Sequence, residues 1–321
     1  MDLVPWASAH TRCGCACRDR PARVDHCPPG THHRRTPARR PPVTTVTVLH
    51  PGAMGSAVAA QAAAAGHEVL WVPAGRSEAT RERARTVGAV PVDTLAEALE
   101  RSAVVLSVCP PQAAEEVAEL VAAHGFAGVY VDANALNPQR MLHIAEAIAP
   151  GTSVLDGAIF GPPPGGARTA RLYLAGAGPA IDLVEGVFKD TALHTRRSSG
   201  AIGSASALKM AFAGYQKAAR TLAGVAHALA DAHGVGAELT AEAQVMASDI
   251  LSDPEYLPSV AARAWRWAPE MQDIADTLRA ACLPPDMAEA AVTVMSRWEQ
   301  DKDRYDLSVA DVLAHLRRPG I

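Results

Sequence analysis

After residue 42, the first part of the chain alternates short apolar runs with segments of helical periodicity. The runs are rich in valine, leucine and isoleucine, and turn residues separate them from the helical segments. Strands covered by helices on both faces have this composition. The pattern predicts a doubly wound α/β sheet. Its predicted strands fall within 43–55, 69–72, 87–92, 103–108, 128–131, 154–160 and 171–175, and its predicted helices at 56–65, 94–100, 113–123 and 138–149.

The pattern is different after residue 200 and before residue 43. From Ala201 onward the chain has helical periodicity, with breaks near 234–236, 253–258 and 284–285, where Gly or Pro occur. The first 42 residues are crowded with Pro, Arg, His and Cys and have no period, which is typical of disorder. We therefore predict a disordered tail at 1–42, an α/β domain at 43–200 and an all-α domain at 201–321.

Composition narrows the classes of function. A chain of 321 residues with 49% hydrophobic content is long enough to bury two cores. The first 41 residues carry eight arginines and three aspartates, so the rest of the chain is distinctly acidic, which disfavours nucleic acid as a partner. No apolar run approaches the length that spans a bilayer, so no membrane partner is expected.

Four of the six cysteines lie in the tail, at positions 13, 15, 17 and 27. Their spacing does not match the paired ligands of a zinc site, and we expect no metal. Only Cys109 and Cys282 lie in the predicted globular part, so a disulfide framework is not indicated. A reducing, cytoplasmic location is the simplest expectation.

The stretch VTTVTVLHPGAMG ends the first predicted strand in a glycine turn that leads into an alanine-rich helix. Such a turn directs backbone N–H groups and a helix dipole at one point, where the pyrophosphate of a dinucleotide binds. We predict that the backbone of Gly52, Ala53, Met54 and Gly55 binds it. The G-x-G-x-x-G pattern is incomplete, because His50 stands at its first glycine, and an ordinary βα turn is the alternative.

The end of the second predicted strand indicates which nucleotide binds. An NAD-specific site has an acidic residue there for the ribose 2′-hydroxyl, whereas this chain has Arg76 and Ser77. A guanidinium and a hydroxyl suit the 2′-phosphate of NADP(H), which a carboxylate would repel. NADP(H) is therefore the predicted cofactor; the alternative is that Arg76 is a solvated surface charge.

Several motifs together resemble the β-hydroxyacid dehydrogenases, a superfamily that includes 6-phosphogluconate and 3-hydroxyisobutyrate dehydrogenases and, more distantly, imine reductases. They are HPGAMG, the Arg76-Ser77 pair, LSVCPP, VDANALNP and DGAIFGPPP. GAIGSASALKMAFAGYQK and WRWAPEM are similar to a branch with its own C-terminal helical domain. The resemblance covers residues 43 to about 316 and implies a Rossmann domain followed by an all-α domain.

The resemblance implies that Lys209 is the catalytic residue, since the family's dehydrogenases use a helical lysine beside the nicotinamide to exchange a proton with the substrate oxygen. The residues permit this role. Ala205, Ala213 and Phe212 lie at helical spacing from Lys209, and poor solvation lowers the pKa of a lysine towards the working range of an acid–base group. Alternatively, the aliphatic stem of Lys209 extends to a solvated edge.

Two departures from the family concern the substrate. Position 213 is alanine where the well-known members have an asparagine, and their Ser-Gly-Gly turn for the substrate carboxylate reads Phe160-Gly161-Pro162 here. Phe160 has no hydroxyl and Pro162 has no N–H, so a bulkier carbonyl or imine is plausible. We predict substrate contacts from Phe160, Gly161 and Gln216, the last in place of the missing asparagine.

Two further residues are predicted to face the cofactor. Asn134 follows a strand, where ligands of open α/β sheets bind, and the resemblance brings it to the nicotinamide ribose or the substrate. An Asx turn before Pro138 is the alternative. Cys109 follows the preceding strand, and we expect it to face the crevice through its backbone, not as a nucleophile. Trp265, Trp267 and Met271 are either core residues or part of the substrate cleft.

These observations predict an NADP(H)-dependent oxidoreductase that transfers hydride between nicotinamide and a carbonyl or hydroxyl substrate. An NADPH-dependent imine reductase and a non-catalytic NADPH-binding protein are the alternatives. The expected partner is a small-molecule substrate. A homodimer is also expected, because long alanine-rich helices such as 202–233 commonly need a partner surface to bury their faces.

Overall fold

The structure of the protein is a computed structural model, and it describes residues 42–148, 151–246, 249–250 and 252–317. The predicted disordered tail and its four cysteines lie outside these residues, apart from position 42. The described chain begins with an α/β region and continues as a helical region.

The α/β region is built on one sheet of eight strands: β1 (Thr45–Val48), β2 (Glu68–Trp71), β3 (Val90–Pro91), β4 (Val104–Ser107), β5 (Val129–Asp132), β6 (Ser153–Phe160), β7 (Ala170–Gly176) and β8 (Leu193–Arg197). Their order across the sheet is β3-β2-β1-β4-β5-β6-β7-β8. The first six are mutually parallel, β7 is antiparallel to β6, and β8 is parallel to β7. The predicted α/β fold class is confirmed, and the sheet is mostly parallel.

Helices of the α/β region cover both faces of this sheet. They are α1 (Ala53–Ala64), α2 (Glu78–Thr86), α3 (Leu95–Arg101), α4 (Ala114–Ala123), α5 (Pro138–Ile148) and α6 (Gly178–Val187). Apolar side chains of α1 and α6 belong to one core, and those of α4 and α5 belong to the core on the other face. Strands β2 and β4 lie on opposite sides of β1 in the sheet, so the order of strands reverses direction at β1. A crevice opens at the carboxyl end of β1 for this reason.

The helical region contains α7 (Ser204–Ala232), α8 (Gly236–Gln244), α9 (Leu257–Ala261), α10 (Ala264–Ala280), α11 (Asp286–Met295) and α12 (Val309–Arg317). Its core surrounds Trp298, which is fully buried and donates its indole N–H to the Val312 carbonyl oxygen. The breaks predicted near 234–236, 253–258 and 284–285 all coincide with helix ends. No described helix combines the length and apolarity that crossing a membrane requires.

Asp156 fixes the start of α7 against the sheet. This buried carboxylate, near the middle of β6, accepts hydrogen bonds from the N–H groups of Gly203, Ala205 and Ser206 and from the Ser206 hydroxyl. Helix starts leave N–H groups without helical partners, and a carboxylate stabilises them and the positive end of the helix dipole. The position of α7 relative to β6 is therefore set by Asp156.

Some elements differ from the sequence prediction. Helix α1 begins at Ala53, three residues earlier than the alanine-rich stretch indicated, because the glycine turn itself forms the first helical turn. Helices α2 and α6 and strand β8 were not predicted. β8 has the sequence LHTRR and only Leu193 is buried, so an edge strand of this kind carries no apolar run.

Candidate functional site

A cavity of about 570 Å³ lies at the carboxyl ends of β1, β2, β4 and β5. Helix α10 supplies its far wall through Trp265, Arg266 and Glu270. All eight residues predicted to bind the cofactor line this one cavity: Gly52, Ala53, Met54, Gly55, Arg76, Ser77, Cys109 and Asn134. The structure thus brings together side chains and backbone that are up to 82 residues apart in the sequence.

The glycine turn has the local geometry of a phosphate-binding turn. A Cβ atom at Gly55 would collide with the His50 carbonyl oxygen, whereas one at Gly52 would meet no atom within 4 Å. Gly55 therefore permits close packing of α1 on β1, and Gly52 leaves space at the cavity. No side chain caps the N-terminus of α1, so its first N–H groups remain available to a ligand.

Two buried nitrogens at this cavity have no hydrogen-bond partner, namely His50 Nδ1 and Arg76 Nε. Buried polar atoms are nearly always paired, so the two side chains that border the cavity have hydrogen-bonding capacity that the protein does not use. Burial and the nearby Arg76 charge lower the pKa of His50 to about 4, and the ring is neutral at pH 7. Donors beside a guanidinium suit an anion.

Ser77 has a structural task in addition to its place in the cavity wall. It is the N-cap of α2, and its hydroxyl oxygen accepts a hydrogen bond from the Thr80 N–H at 3.3 Å. The Ser77 hydroxyl also lies 3.1 Å from Thr80 Oγ1, and either hydroxyl can be the donor in that hydrogen bond. Arg76 and the start of α2 thus lie on the same side of the cavity.

Asn134 ties the ends of β4 and β5 together. Its Oδ1 accepts from the Cys109 N–H at 2.7 Å, and its Nδ2 donates to Ser107 and to the buried Asp132 carboxylate. Burial raises the pKa of Asp132 to about 7. The alternative of an Asx turn before Pro138 is wrong, because Asn137 is the residue that caps α5, accepting from the Arg140 N–H.

Cys109 faces the cavity as an unreactive thiol. Burial raises its pKa to about 11, so the thiolate is scarce at neutral pH. This agrees with the expectation that Cys109 is not a nucleophile.

Lys209 lies on α7 where that helix passes the end of β6. Its Nζ donates to the Ile159 carbonyl oxygen at 2.7 Å and lies 5.0 Å from the centroid of the Phe160 ring. Burial lowers the pKa of Lys209 to about 8; the charges of Lys217 and Arg266 lower it further and that of Glu270 opposes them. Arg266 and Glu270 line the cavity, so Lys209 is electrostatically coupled to its wall.

The three predicted substrate residues are not all brought together. Phe160 is buried beside Lys209 and packs edge-on against Tyr173 and Phe212. Gly161 follows it with φ of 112°, a conformation that L side chains rarely adopt. Gln216 is partly buried on α7 and, within the described part of the chain, makes no hydrogen bond to Lys209.

Sequence reasoning missed an ion pair beside the cavity. Lys217 Nζ lies 2.6 Å from Glu270 Oε2, and both side chains are 10% exposed. Lys217 also lies 5.7 Å from the centroid of the Trp267 ring. A signal was present, because Lys217 follows Lys209 by eight residues and therefore shares its helix face. The acid on α10 could not have been paired with it without the fold.

The two tryptophans of α10 lie in different surroundings, one in the wall of the cavity and one against the core of the helical region. Trp265 is 41% exposed and lines the cavity, whereas Met271 is buried in the helical core and Trp267 packs against that core. Arg140 on α5 joins the two regions nearby, binding Glu115 of α4 and Asp273 of α10. The cavity wall from α10 is thereby held against the α/β region.

Comparison with known structures places this architecture among dehydrogenases and reductases. A 3-hydroxyisobutyrate dehydrogenase from Mycobacterium tuberculosis, solved with L-serine, is 19% identical, with 86% of this chain and 100% of that chain covered and a TM-score of 0.70. The imine reductase of Streptomyces aurantiacus is 21% identical, with 85% and 100% covered and a TM-score of 0.53. A reductive aminase from Aspergillus terreus, solved with NADPH and ethyl levulinate, is 20% identical, with 86% and 100% covered and a TM-score of 0.52.

The chain therefore shares the fold of these dehydrogenases and reductases, and the fold that the resemblance predicted is confirmed. Two family models match parts of it. The one described as "NADP oxidoreductase coenzyme F420-dependent" matches residues 45–136, and a domain of unknown function, DUF1932, matches residues 230–298. No curated protein matches the chain significantly.

Proposed function

We propose that the protein is an NADP(H)-dependent oxidoreductase that transfers hydride between the nicotinamide and a carbonyl or hydroxyl substrate. The observation that carries this proposal is the single cavity that joins the uncapped start of α1, the unpartnered nitrogens of His50 and Arg76, and the polar wall of α10. The fold supports it, since structures that share this fold include dehydrogenases, reductases and one NADPH complex.

The residues of the cavity fit each part of such a cofactor. The N–H groups of Ala53, Met54 and Gly55 bind the pyrophosphate at the start of α1, and Gly52, whose own N–H donates to the His50 carbonyl oxygen, lets the phosphate approach the backbone. Arg76 and Ser77 bind the 2′-phosphate, which a carboxylate would repel. Asn134 and the Cys109 backbone face the nicotinamide ribose from the ends of β5 and β4. The bound cofactor supplies the hydride chemistry, and the protein orients it and excludes water.

Lys209 holds the proton that accompanies the hydride. With a pKa of about 8, its Nζ is largely protonated at pH 7 and still releases a proton readily. The hydrogen bond to the Ile159 carbonyl fixes the ammonium group, and the Phe160 ring excludes water from one side. During reduction Nζ donates a proton to the substrate heteroatom, and during oxidation it accepts one.

The surroundings of Lys209 favour a substrate without a small carboxylate. Phe160, Tyr173 and Phe212 form an aromatic cluster, and in the turn that follows β6 Phe160 has no hydroxyl and Pro162 has no N–H to replace the family's anion-binding groups. This cluster favours a bulky carbonyl compound and makes a cyclic imine the second candidate substrate. An imine reductase needs the same proton donor and no carboxylate clamp.

A substrate panel with NADPH tests the proposal. Aldehydes, ketones, hydroxy acids and cyclic imines are supplied in turn while NADPH absorbance is followed, and Lys209→Ala is compared with the unchanged protein. Lost turnover with unchanged NADPH binding in the variant supports catalysis by Lys209. Turnover of imines alone would reject the alcohol reaction in favour of the imine reductase. NADPH binding without turnover of any compound would support a binding protein.

We also propose a homodimer through the helical region. An apolar groove of about 460 Å³ runs between α7, α10 and α11. Tyr215, Leu222 and Met287 in its wall are 65%, 53% and 56% exposed. A second copy of the chain would bury this apolar surface, whose exposure to water is unfavourable. Light scattering after size exclusion tests it: the unchanged chain is expected to be a dimer and Leu222→Glu a monomer, and a monomeric unchanged chain refutes it.

A further inference from the structure

His50 is a departure from the dinucleotide-binding pattern that concerns the cavity directly. It stands where the pattern has its first glycine, just beyond β1, and its side chain lines the cavity. A glycine at this position contributes no side chain to the ligand. His50 therefore places an imidazole in space that the pattern otherwise leaves to the cofactor.

The imidazole and the Arg76 guanidinium present complementary unpartnered atoms. Five buried side-chain atoms among the described residues have no hydrogen-bond partner, and His50 Nδ1 and Arg76 Nε are two of them. They come from the ends of neighbouring strands, β1 and β2, and both residues line the same cavity. Both side chains border the same cavity, so a ligand that enters it meets an imidazole and a guanidinium together.

The positive charge of Arg76 beside the neutral ring of His50 favours an anion as the acceptor. The ring is neutral beside the guanidinium, since burial and the Arg76 charge hold the pKa of His50 near 4. A neutral imidazole donates one N–H and does not add to the positive charge that Arg76 already carries. The Cys109 thiol, which also faces Arg76, is held neutral by burial and supplies no counterion.

We propose that His50 and Arg76 form the two sides of a subsite for the 2′-phosphate of NADP(H), in which the imidazole and the guanidinium donate to phosphate oxygens. The assignment rests on the proposed use of a dinucleotide. The adenosine ribose lies at the end of β2 in this fold, near Arg76, while the pyrophosphate lies at Gly52–Gly55. A phosphate has enough oxygens to accept from both side chains, whereas the single 2′-hydroxyl of NADH satisfies them poorly.

Calorimetric titration of the full chain tests the subsite without any turnover. The ligands are NADPH, NADH and the fragments 2′,5′-ADP and 5′-AMP, which differ in the phosphate alone. His50→Ala is expected to weaken NADPH and 2′,5′-ADP binding by about 10-fold, the effect of one hydrogen bond to a charged group. The affinity for NADH and 5′-AMP is expected to change by less than about 2-fold, because no bond to a charged group is lost.

Two further variants keep the result interpretable. His50→Asn retains a side-chain N–H donor and is expected to recover most of the NADPH affinity, which a loss of packing alone would not predict. His194→Ala is the matched control, since His194 is exposed on edge strand β8 and lies outside the cavity wall. If His50→Ala does not fold, as judged by thermal unfolding, His50→Gly replaces it with the residue of the dinucleotide-binding pattern itself.

Several outcomes would overturn the subsite. Equal losses for the phosphorylated and unphosphorylated ligands would assign His50 to a part of the cofactor that both share. Unchanged NADPH affinity in His50→Ala would remove His50 from the site. An unchanged chain that binds NADH and NADPH equally well would reject the phosphate subsite and leave a nicotinamide oxidoreductase standing. An unchanged chain that binds none of the ligands would reject the proposed function itself.

Discussion

The ion pair between Lys217 and Glu270 allows a sharp test of the acid–base role of Lys209. Glu270→Gln removes a negative charge that raises the pKa of Lys209, and Lys217→Met removes a positive charge that lowers it. The two substitutions are therefore expected to shift this pKa in opposite directions from its value of about 8. Glu270→Gln lowers the pKa, and Lys217→Met raises it.

The same substitutions have different effects on stability. Both side chains are 10% exposed, so Lys217→Met leaves a buried carboxylate without its partner, which costs about 3–5 kcal/mol in the free energy of unfolding. We take the lower end, about 3 kcal/mol, because Glu270 also borders the cavity. This corresponds to a fall in melting temperature of roughly 6–12 °C. Glu270→Gln keeps an acceptor for Lys217, so we expect a loss of only about 1 kcal/mol.

The assay is the pH dependence of kcat/KM for NADPH-dependent reduction. Reduction needs protonated Lys209, so the rate falls as pH rises through the pKa of this lysine. We expect the fall at lower pH in Glu270→Gln and at higher pH in Lys217→Met. Arg101→Met is the control, because it breaks two surface ion pairs, with Glu68 and Glu97, and Arg101 is 38% exposed; it is expected to change stability by no more than about 1 kcal/mol.

The reasoning is refuted if both variants shift the fall of kcat/KM at high pH in the same direction. It is also refuted if neither variant shifts this fall while Lys209→Ala still abolishes turnover. In the first case a general loss of structure controls the profile. In the second, the group that titrates near pH 8 is not Lys209 and its proposed role as proton donor is wrong.

Three further predictions concern the surroundings of the site. Gly55→Ala is expected to lose about 2 kcal/mol in the free energy of unfolding, because its Cβ collides with the His50 carbonyl oxygen. Gly52→Ala should keep the melting temperature of the unchanged protein and lose nucleotide affinity. Equal melting temperatures for the two variants would contradict the role of Gly55 in packing. Asp156→Ala is expected to destabilise the protein by about 3 kcal/mol, since it strips hydrogen bonds from the start of α7, and a denaturation midpoint within error of the unchanged protein would exclude this role. At pH 8 iodoacetamide should modify exposed Cys282 much faster than Cys109, whose pKa is about 11; similar rates, measured by mass spectrometry, would argue against a neutral buried thiol.

Much of the α/β region could be predicted because its signals are local. An apolar run with turn residues at its ends specifies a buried strand within four to eight residues. The predicted helix at 94–100 likewise begins at Thr94, which the structure shows to be the N-cap of α3. Strand β8 was not predicted, because its side chains are mostly exposed and its place depends on pairing with β7. Local pattern cannot reveal a strand whose stability comes from a neighbour.

The candidate site shows the same division. The glycine turn and Arg76 were found from spacing, because phosphate binding imposes backbone and charge requirements on adjacent residues. The pairing of Lys217 with Glu270 was not, since 53 residues separate them and only the packing of α10 on α7 brings them together.

By itself, the order of residues determined the buried strands, the turn into α1 and the break between the sheet and the helices, because each depends on side chains a few positions apart. The tertiary structure alone decided which polar atoms are buried without a partner, how far desolvation lowers the pKa of Lys209, and which wall α10 presents to the cavity. Burial and electrostatic coupling depend on distances between residues remote in the chain, and those distances exist only once the helical region packs on the sheet.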